Sequence, residues 1–441
     1  MKTFQTILLT VFGIITVVAV IVFAKFPVDA KKDQATGGAS GNVAIWGTFQ
    51  IEGGRDKVFE DFNKKYEKAF SVSYEYHDPS NFDADIVEAL ASGKGPDILL
   101  LPDNLILRHS DKIELIPYGS VPQRTFQDTF IQASEIYMRD QGLIALPFAI
   151  DPMVMYWNRD LFNNASVTQP PAFWDEFLTL APKLTRHDPK TSEIKESAIS
   201  FGEYSNVENA KDIIAMLFLQ VGNSIVKMRN GKPAVDLLSI QGAKVSANQD
   251  IVSAFRYFMD FSNPLQNIYS WSRALPNSRD QFINGNLAVY FDFASAYKDI
   301  QLKNPHLNFA VASVPQLRGA KVEITYARMH GLAVLKSSKN KATALVAVQR
   351  LLESEPSGQF AATFSLPPVR RDLLNKRPTD TALSVFYDSA IRARTWLDPR
   401  PEESDKAFRT AVESVSSGRY DIPRSIGDLS DQLQSALRPY Q

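Results

Sequence analysis

The twenty residues Leu143 to Phe162, LIALPFAIDPMVMYWNRDLF, constrain the fold more than any other stretch of the chain. Two apolar runs of strand length, Ala145-Leu146 and Val154-Met155-Tyr156-Trp157, are joined through Pro147, Asp151 and Pro152. A proline has no N–H to give to a central ladder, so the run is expected to leave one sheet before it enters another. Asp151 stands at that break.

On either side the chain alternates strand and helix. Val43 to Trp46 reads as a strand, and Phe59, Phe62, Tyr66 and Ala69 recur at spacings of three and four, which lays one apolar stripe along a helix. Val72, Tyr74 and Tyr76 then alternate as a half-buried strand. A strand, a crossover helix and a second strand favour a parallel sheet with helices on its faces, so the class is α/β. Ile98–Leu101, Leu287–Phe291, Phe309–Ala312 and Leu332–Leu335 read as further buried strands, and Leu345, Val348 and Leu352 mark a helix.

Composition narrows the function classes. With 441 residues, 44% of them hydrophobic, the chain can bury the cores of two or three domain-sized units. A net charge of −1 gives no basic face for nucleic acid. The absence of cysteine removes disulfides, thiolate metal sites, a cysteine nucleophile and lipoprotein acylation. Five histidines (His77, His109, His187, His306, His330) lack metal-ligand spacing, and there is no HExxH, phosphate-cradling loop or nucleophile elbow. Neither a metal, a cofactor nor an enzymatic activity is expected.

Ile7 to Ala24 is an uncharged apolar run close to the roughly 20 residues that span a bilayer. It reads as a retained transmembrane anchor within residues 1–26, placing the protein outside the cytoplasm and tied to the membrane. The alternative is a signal segment cleaved after Val28-Asp29-Ala30. Lys2 lies before the span and Lys25, Lys31 and Lys32 after it, so the positive-inside count slightly opposes an exported domain. Residues 27–41, PVDAKKDQATGGASG, have the composition of a flexible tether, and folded structure is expected from Asn42.

Several motifs together resemble, in order, the family 1 extracellular solute-binding proteins, the maltodextrin-binding type of receptor that feeds ABC importers. They are Val43-Ala44-Ile45-Trp46, Gly95-Pro96-Asp97-Ile98, the bend at Leu143–Phe162 with Tyr156-Trp157-Asn158-Arg159-Asp160-Leu161-Phe162, and Pro171 with Phe173-Trp174-Asp175-Glu176-Phe177. Phe282 to Val289, Gly331-Leu332-Ala333-Val334 before Ser337 to Lys341, and Leu366-Pro367-Pro368 complete the order. The resemblance implies a two-lobe periplasmic-binding-protein-like fold of type II, with three crossings at 146–151, 312–316 and 366–369. Lobe 1 would hold 42–148 and 314–366, and lobe 2 149–313 and 367–441. The ligand would lie between the lobes, where loops at strand ends converge, and hinge closure would enclose it.

Sugar recognition needs apolar faces for the C–H side of a pyranose and fixed polar groups for its hydroxyls. From lobe 1 the candidates are Trp46 and Thr48 after the first strand, and Asp103 and Asn104 after the third; a core tryptophan and a plain turn are their bland readings. Asp151, at the proline-flanked crossing, is the leading hydroxyl acceptor, against the reading of a turn cap. From the regions that match the family's binding elements come Tyr204, Trp271, Asp292 and Phe293. The stacking ring is either Phe293 or Tyr297, because the family's Gly-x-Trp is replaced here by Asp292-Phe293-Ala294-Ser295-Ala296-Tyr297. Arg328 and Met329, before the return strand, and Trp396 with Asp398, in the C-terminal region that closes over the ligand, complete the set. Core or surface roles are the alternative for each. The partners implied are an oligosaccharide or other small solute and the permease subunits, with the protein itself a monomer. A membrane-anchored ectodomain that senses a ligand and signals to another protein, a binder of a non-sugar solute, and a glycan-processing enzyme with paired carboxylates are the rival functions.

Overall fold

A computed structural model of the protein describes residues 39–50, 57–241 and 244–441. The expected anchor and most of the tether lie outside the described residues, and among the described residues no helix is long and apolar enough to cross a membrane. The chain is attached slightly before Asn42: Ala39 is buried and the Ser40 N–H donates to Thr343 Oγ1 at 3.2 Å.

The opening βαβ unit forms as the periodicities predict. Strand β1 (Gly41–Gly47) is followed by helix α1 (Lys57–Tyr66), which buries Val58, Phe59 and Phe62 on one face. Strand β2 (Phe70–Tyr76) returns parallel beside β1, with Val43 opposite Val72. After helix α2 (Phe82–Ala91), strand β3 (Ile98–Pro102) takes the other flank of β1, also parallel, with Ile45 opposite Ile98.

The opening bend corrects one expectation. Leu146–Asn158 is a single thirteen-residue strand, β4, and does not leave its sheet at the prolines. Its first half pairs antiparallel with β9 (Thr325–Val334), placing Pro147 opposite Gly331 and Pro152 opposite Ala327. Its second half pairs antiparallel with β7 (Leu287–Phe293). Pro152 is tolerated because it falls where β4 is handed from β9 to β7, and Pro147 because it is the second residue of the strand and faces a register shift between His330 and Gly331. Gly331 is needed at that shift, since a Cβ there would come within 2.7 Å of the Tyr137 ring and 2.9 Å of Ala145.

The main sheet runs β2-β1-β3-β9-β4-β7-β6-β5, where β5 is Arg186–His187 and β6 is Ile194–Ile199; β8 (Phe309–Ala312) also pairs with β4. Every residue of β7 is buried, as a strand covered on both faces requires. Around it Trp174, Phe177, Phe201, Phe258, Phe261 and Phe291 pack ring against ring in the core of lobe 2. Helix α3 (Ala210–Gln220), buried along most of its length, packs on α4 (Gln249–Asp260) and on β9. Helices α5 (Pro401–Ser416) and α6 (Ile422–Leu437) pack on each other and close lobe 2.

The result is an α/β fold of two lobes sharing β4 and β9. The second expected crossing, 312–316, stays attached to lobe 2. Gln316 exchanges backbone hydrogen bonds with Ala172 and Trp174, and Gln220 donates to the carbonyls of Pro315 and Ile324. The chain changes lobes afterwards, along β9. In the third region, Val369 and Arg370 pair with Ile131 and Phe130 of lobe 1.

Candidate ligand-binding cleft

Where β4 and β9 run together, Asp151 lies opposite Arg328. Asp151 Oδ1 accepts the backbone N–H of Ser295 at 3.0 Å, and Pro152 accepts that of Ala294 at 2.9 Å, so the crossing is clipped to the end of β7. Burial pushes the Asp151 carboxyl up to about 6, against the Ser295 hydrogen bonds and the Arg328 charge, which favour its ionised form.

Arg328 does not pair with Asp151. Its Nη2 donates to Asp212 Oδ2 at 2.6 Å and to Asn209 Oδ1 at 3.1 Å, and its guanidinium carbon lies 3.8 Å from the centre of the Phe293 ring. Burial works against its charge, but the Asp212 carboxylate together with Tyr326 and Asp151 more than offsets it and raises the guanidinium above its ordinary value. Asp212 is in the first turn of α3, and Asn209 immediately precedes that helix. Asn209 occupies the cap position in the left-handed region, φ 57°, where asparagine is among the residues that enter most readily. Its side chain makes no cap hydrogen bond; it accepts from Arg328 and donates through Nδ2 to Asp292 Oδ1 at 2.8 Å. Capping capacity has been diverted to the site.

Asp292 is fully engaged, accepting also from Phe293 N at 2.8 Å and Tyr290 Oη at 2.6 Å, while burial raises its carboxyl. Beyond it, Tyr204 Oη donates to Asp405 at 2.6 Å, and Lys211 Nζ reaches Asp398 at 2.9 Å and Ser404 at 3.1 Å. Burial raises Asp398 and the Lys211 ammonium restrains that rise. Tyr204, Asn209, Asp212, Arg328, Asp405 and Arg409 line one open cavity of about 640 Å³ on lobe 2.

On the lobe-1 side Asp103 is buried beside this wall. It accepts the Thr395 hydroxyl and the backbone N–H of Asn104, and burial pushes its carboxyl up to about 7. His330, next on β9, sits edge-on to Phe49 with ring centres 4.7 Å apart, and burial together with the Arg328 charge lowers it to about 3.

The structure thus brings together Asp151, Tyr204, Asp292, Phe293 and Arg328, with Asp103 and Asp398 just behind. Other candidates point into cores: Trp271 is fully buried with its indole N–H on Asn206, Met329 is buried, and Trp396 packs on Phe408. Trp46 lies against His77, ring centres 4.1 Å apart, Thr48 is half-buried just past β1, and Tyr297 packs between Phe309 and Phe386. Asn104 is half-buried, with its Oδ1 unpartnered among the described residues. Sequence reasoning missed Asn209, Lys211, Asp212, Asp405 and Arg409. The only signal for the first three was a polar run, Ser205 to Asp212, entering an apolar helix.

Comparison with known proteins agrees with this architecture. The profile described as bacterial extracellular solute-binding protein matches residues 57–382. A binding protein of Brucella abortus (strain 2308) is 23% identical over 322 residues, covering 71% of this chain and 72% of its own. An ABC transporter-binding protein of Deinococcus radiodurans is 25% identical over 307 residues, 66% of this chain and 68% of its own. Among solved structures, the cyclic alpha-maltosyl-1,6-maltose binding protein from Arthrobacter globiformis superposes with a TM-score of 0.73 at 15% identity, covering 91% of this chain and all of its own. The sugar-binding protein MalE from Xanthomonas citri gives 0.70 at 18%, covering 90% and 98%. With a profile match over most of its length and the two-lobe fold in place, the chain belongs to the bacterial extracellular solute-binding protein family.

Proposed function

We propose that the protein is an extracytoplasmic receptor that binds a carbohydrate between its lobes, without changing it chemically, and hands it to an ABC importer. The observation that carries this reading is the junction of β4 and β9, where Asp151 lies opposite Arg328 and Arg328 lines an open cavity together with the Tyr204–Asp212 segment of lobe 2. Hydroxyl groups both donate and accept, and this junction offers a carboxylate oxygen and guanidinium N–H groups side by side. The relatives support the direction: one is named for an ABC transporter, and similar structures are named for sugars, two of them maltose-type and others tagatose or mannotriose.

In this reading lobe 1 comprises 39–150 and 329–374 and lobe 2 comprises 151–328 and 375–441, with β4, β9 and the segment after 374 as the three crossings. Twisting at β4 and β9 closes the lobes on the ligand, and the importer recognises the closed shape. The protein acts as a monomer, held at the membrane by its N-terminal segment. A thermal-shift panel of sugars and other small solutes tests the assignment, since a ligand bound only by the native state raises the melting point by mass action. Sugars are expected to stabilise the protein, and Asp151→Asn, whose amide oxygen can still accept the Ser295 N–H, to reduce that shift while keeping the unliganded melting point. Stabilisation by another solute class, with none by sugars, overturns it.

A further inference from the structure

The aromatic faces on the lobe-2 wall are already occupied. The Arg328 guanidinium covers Phe293 at 3.8 Å and that of Arg409 covers Tyr204 at 4.9 Å. Phe293 is 1% exposed, Tyr204 5%, Trp271 0% and Trp396 3%, so these four rings of lobe 2 offer no face on which a pyranose could lie. On the other side Trp46 packs on His77, and Phe49 is enclosed by His330, Phe360 and Phe364.

What the wall offers is the outer edge of two guanidinium groups, with side chains 46% and 44% exposed. Arg328 is held by a hydrogen bond to Asp212 at 2.6 Å, and Arg409 lies over Tyr204 with Asp405 3.6 Å away as an exposed ion pair. Beside them Asp151 commits Oδ1 to Ser295. Four acids (Glu208, Asp212, Glu402, Asp405) face three bases (Lys211, Arg328, Arg409) around the cavity, so no positive excess favours an anion. Alternating fixed donors and acceptors suit a solute whose every group does both. Stacking platforms add apolar contact with each sugar ring, so a receptor built on them gains affinity as the chain lengthens. A hydrogen-bonding wall exchanges water for protein and gains little from added length.

We infer that this cleft selects a short polyhydroxy solute, a monosaccharide, disaccharide or sugar alcohol, through its charge-paired wall, and does not read an extended saccharide chain. The inference rests on the carbohydrate reading above and narrows it.

Titration calorimetry of the full chain against hexoses, pentoses, sugar alcohols and linear oligosaccharides of one to four residues provides the test. The tightest ligand is expected among the short solutes, with two- and four-residue members of one series within about threefold of each other in Kd. Arg328→Gln is expected to weaken the tightest ligand by about tenfold or more, and Arg409→Gln by about threefold, at unchanged stoichiometry. A rise in affinity of about tenfold or more from two to four residues overturns the inference, as does wild-type binding by both variants. If Arg328→Gln does not fold, the length series and Arg409→Gln, which alters an exposed pair, still decide. Binding of a non-sugar solute with no binding by any saccharide or sugar alcohol instead overturns the carbohydrate reading itself.

Discussion

The two walls of the cleft follow opposite electrostatic plans. On lobe 2 the charges come in pairs, Arg328–Asp212, Lys211–Asp398 and Arg409–Asp405, supplied by three separate elements. Beside lobe 1, Asp103 and His330 have no ion-pair partner among the described residues, and burial drives the first up to about 7 and the second down to about 3. Pairing offsets the cost of burying a charge, whereas a lone buried group tends to give its charge up. One wall can therefore recognise polar groups by fixed charge, and the other is close to neutral by construction.

The sharpest way to break the contrast is to unpair the lobe-2 wall. Asp398→Ala would leave the Lys211 ammonium buried without its carboxylate, for an expected loss of about 3–5 kcal/mol in urea unfolding. The double variant Lys211→Met/Asp398→Leu should recover most of that loss, because two apolar groups need no partner. If the single variant costs nothing, the pair is not what holds the wall.

The lobe-1 side is tested by pH. Asp103 holds its proton in the folded state up to about 7, while the unfolded carboxyl releases it near its ordinary value, so its contribution to stability falls as pH rises between them. His330 stays neutral when folded down to about 3, while the unfolded imidazole takes a proton below its ordinary value, so its contribution falls as pH falls. The two slopes oppose each other in the window where both act, roughly pH 4 to 6.5. Relative to the wild type, Asp103→Asn should lose stability on acidification by roughly 1.4 kcal/mol per pH unit in that window, and His330→Asn should gain it. Denaturation midpoints measured from pH 4 to 8 read both, and parallel profiles for all three proteins would remove the distinction between the walls.

Gly331→Ala forces a methyl group against Tyr137 at the register shift and should cost about 1–3 kcal/mol in thermal unfolding. The smallest effect belongs to the outer face of lobe 1. Lys65→Ala breaks an exposed pair with Glu355 and should change stability by less than about 1 kcal/mol, an effect that salt screens further.

Much of this architecture was legible in the sequence because it is written in local periods. The α1 stripe, the parallel β1–β2 pair and the buried β7 follow from spacings of three, four and two. Pro147 and Pro152 misled, since proline excludes a continuous ladder only where both flanks of a strand are paired at that residue. The proposed site was open to sequence reasoning where it coincides with the crossing, at Asp151 and Arg328. It was not legible at Asp212, which meets Arg328 across 116 positions, or at Lys211, which meets Asp398 across 187. An acid and a lysine in the first turn of a helix look like solvated surface until tertiary packing supplies their partners. Phe293 shows the converse: its position is that of a stacking ring, and only the fold shows that an arginine already covers it.

Strand β4 belongs to both lobes, and this bears on how the molecule comes apart. Neither lobe can be excised with its own sheet complete, because cutting near residue 150 strips lobe 1 of an edge and lobe 2 of the strand on which β7 and β8 pair. Calorimetry should therefore show one cooperative transition for both lobes. A nascent chain released before Thr325–Val334 is made would hold β4 without its first partner, leaving an exposed strand edge for chaperones or aggregation to find.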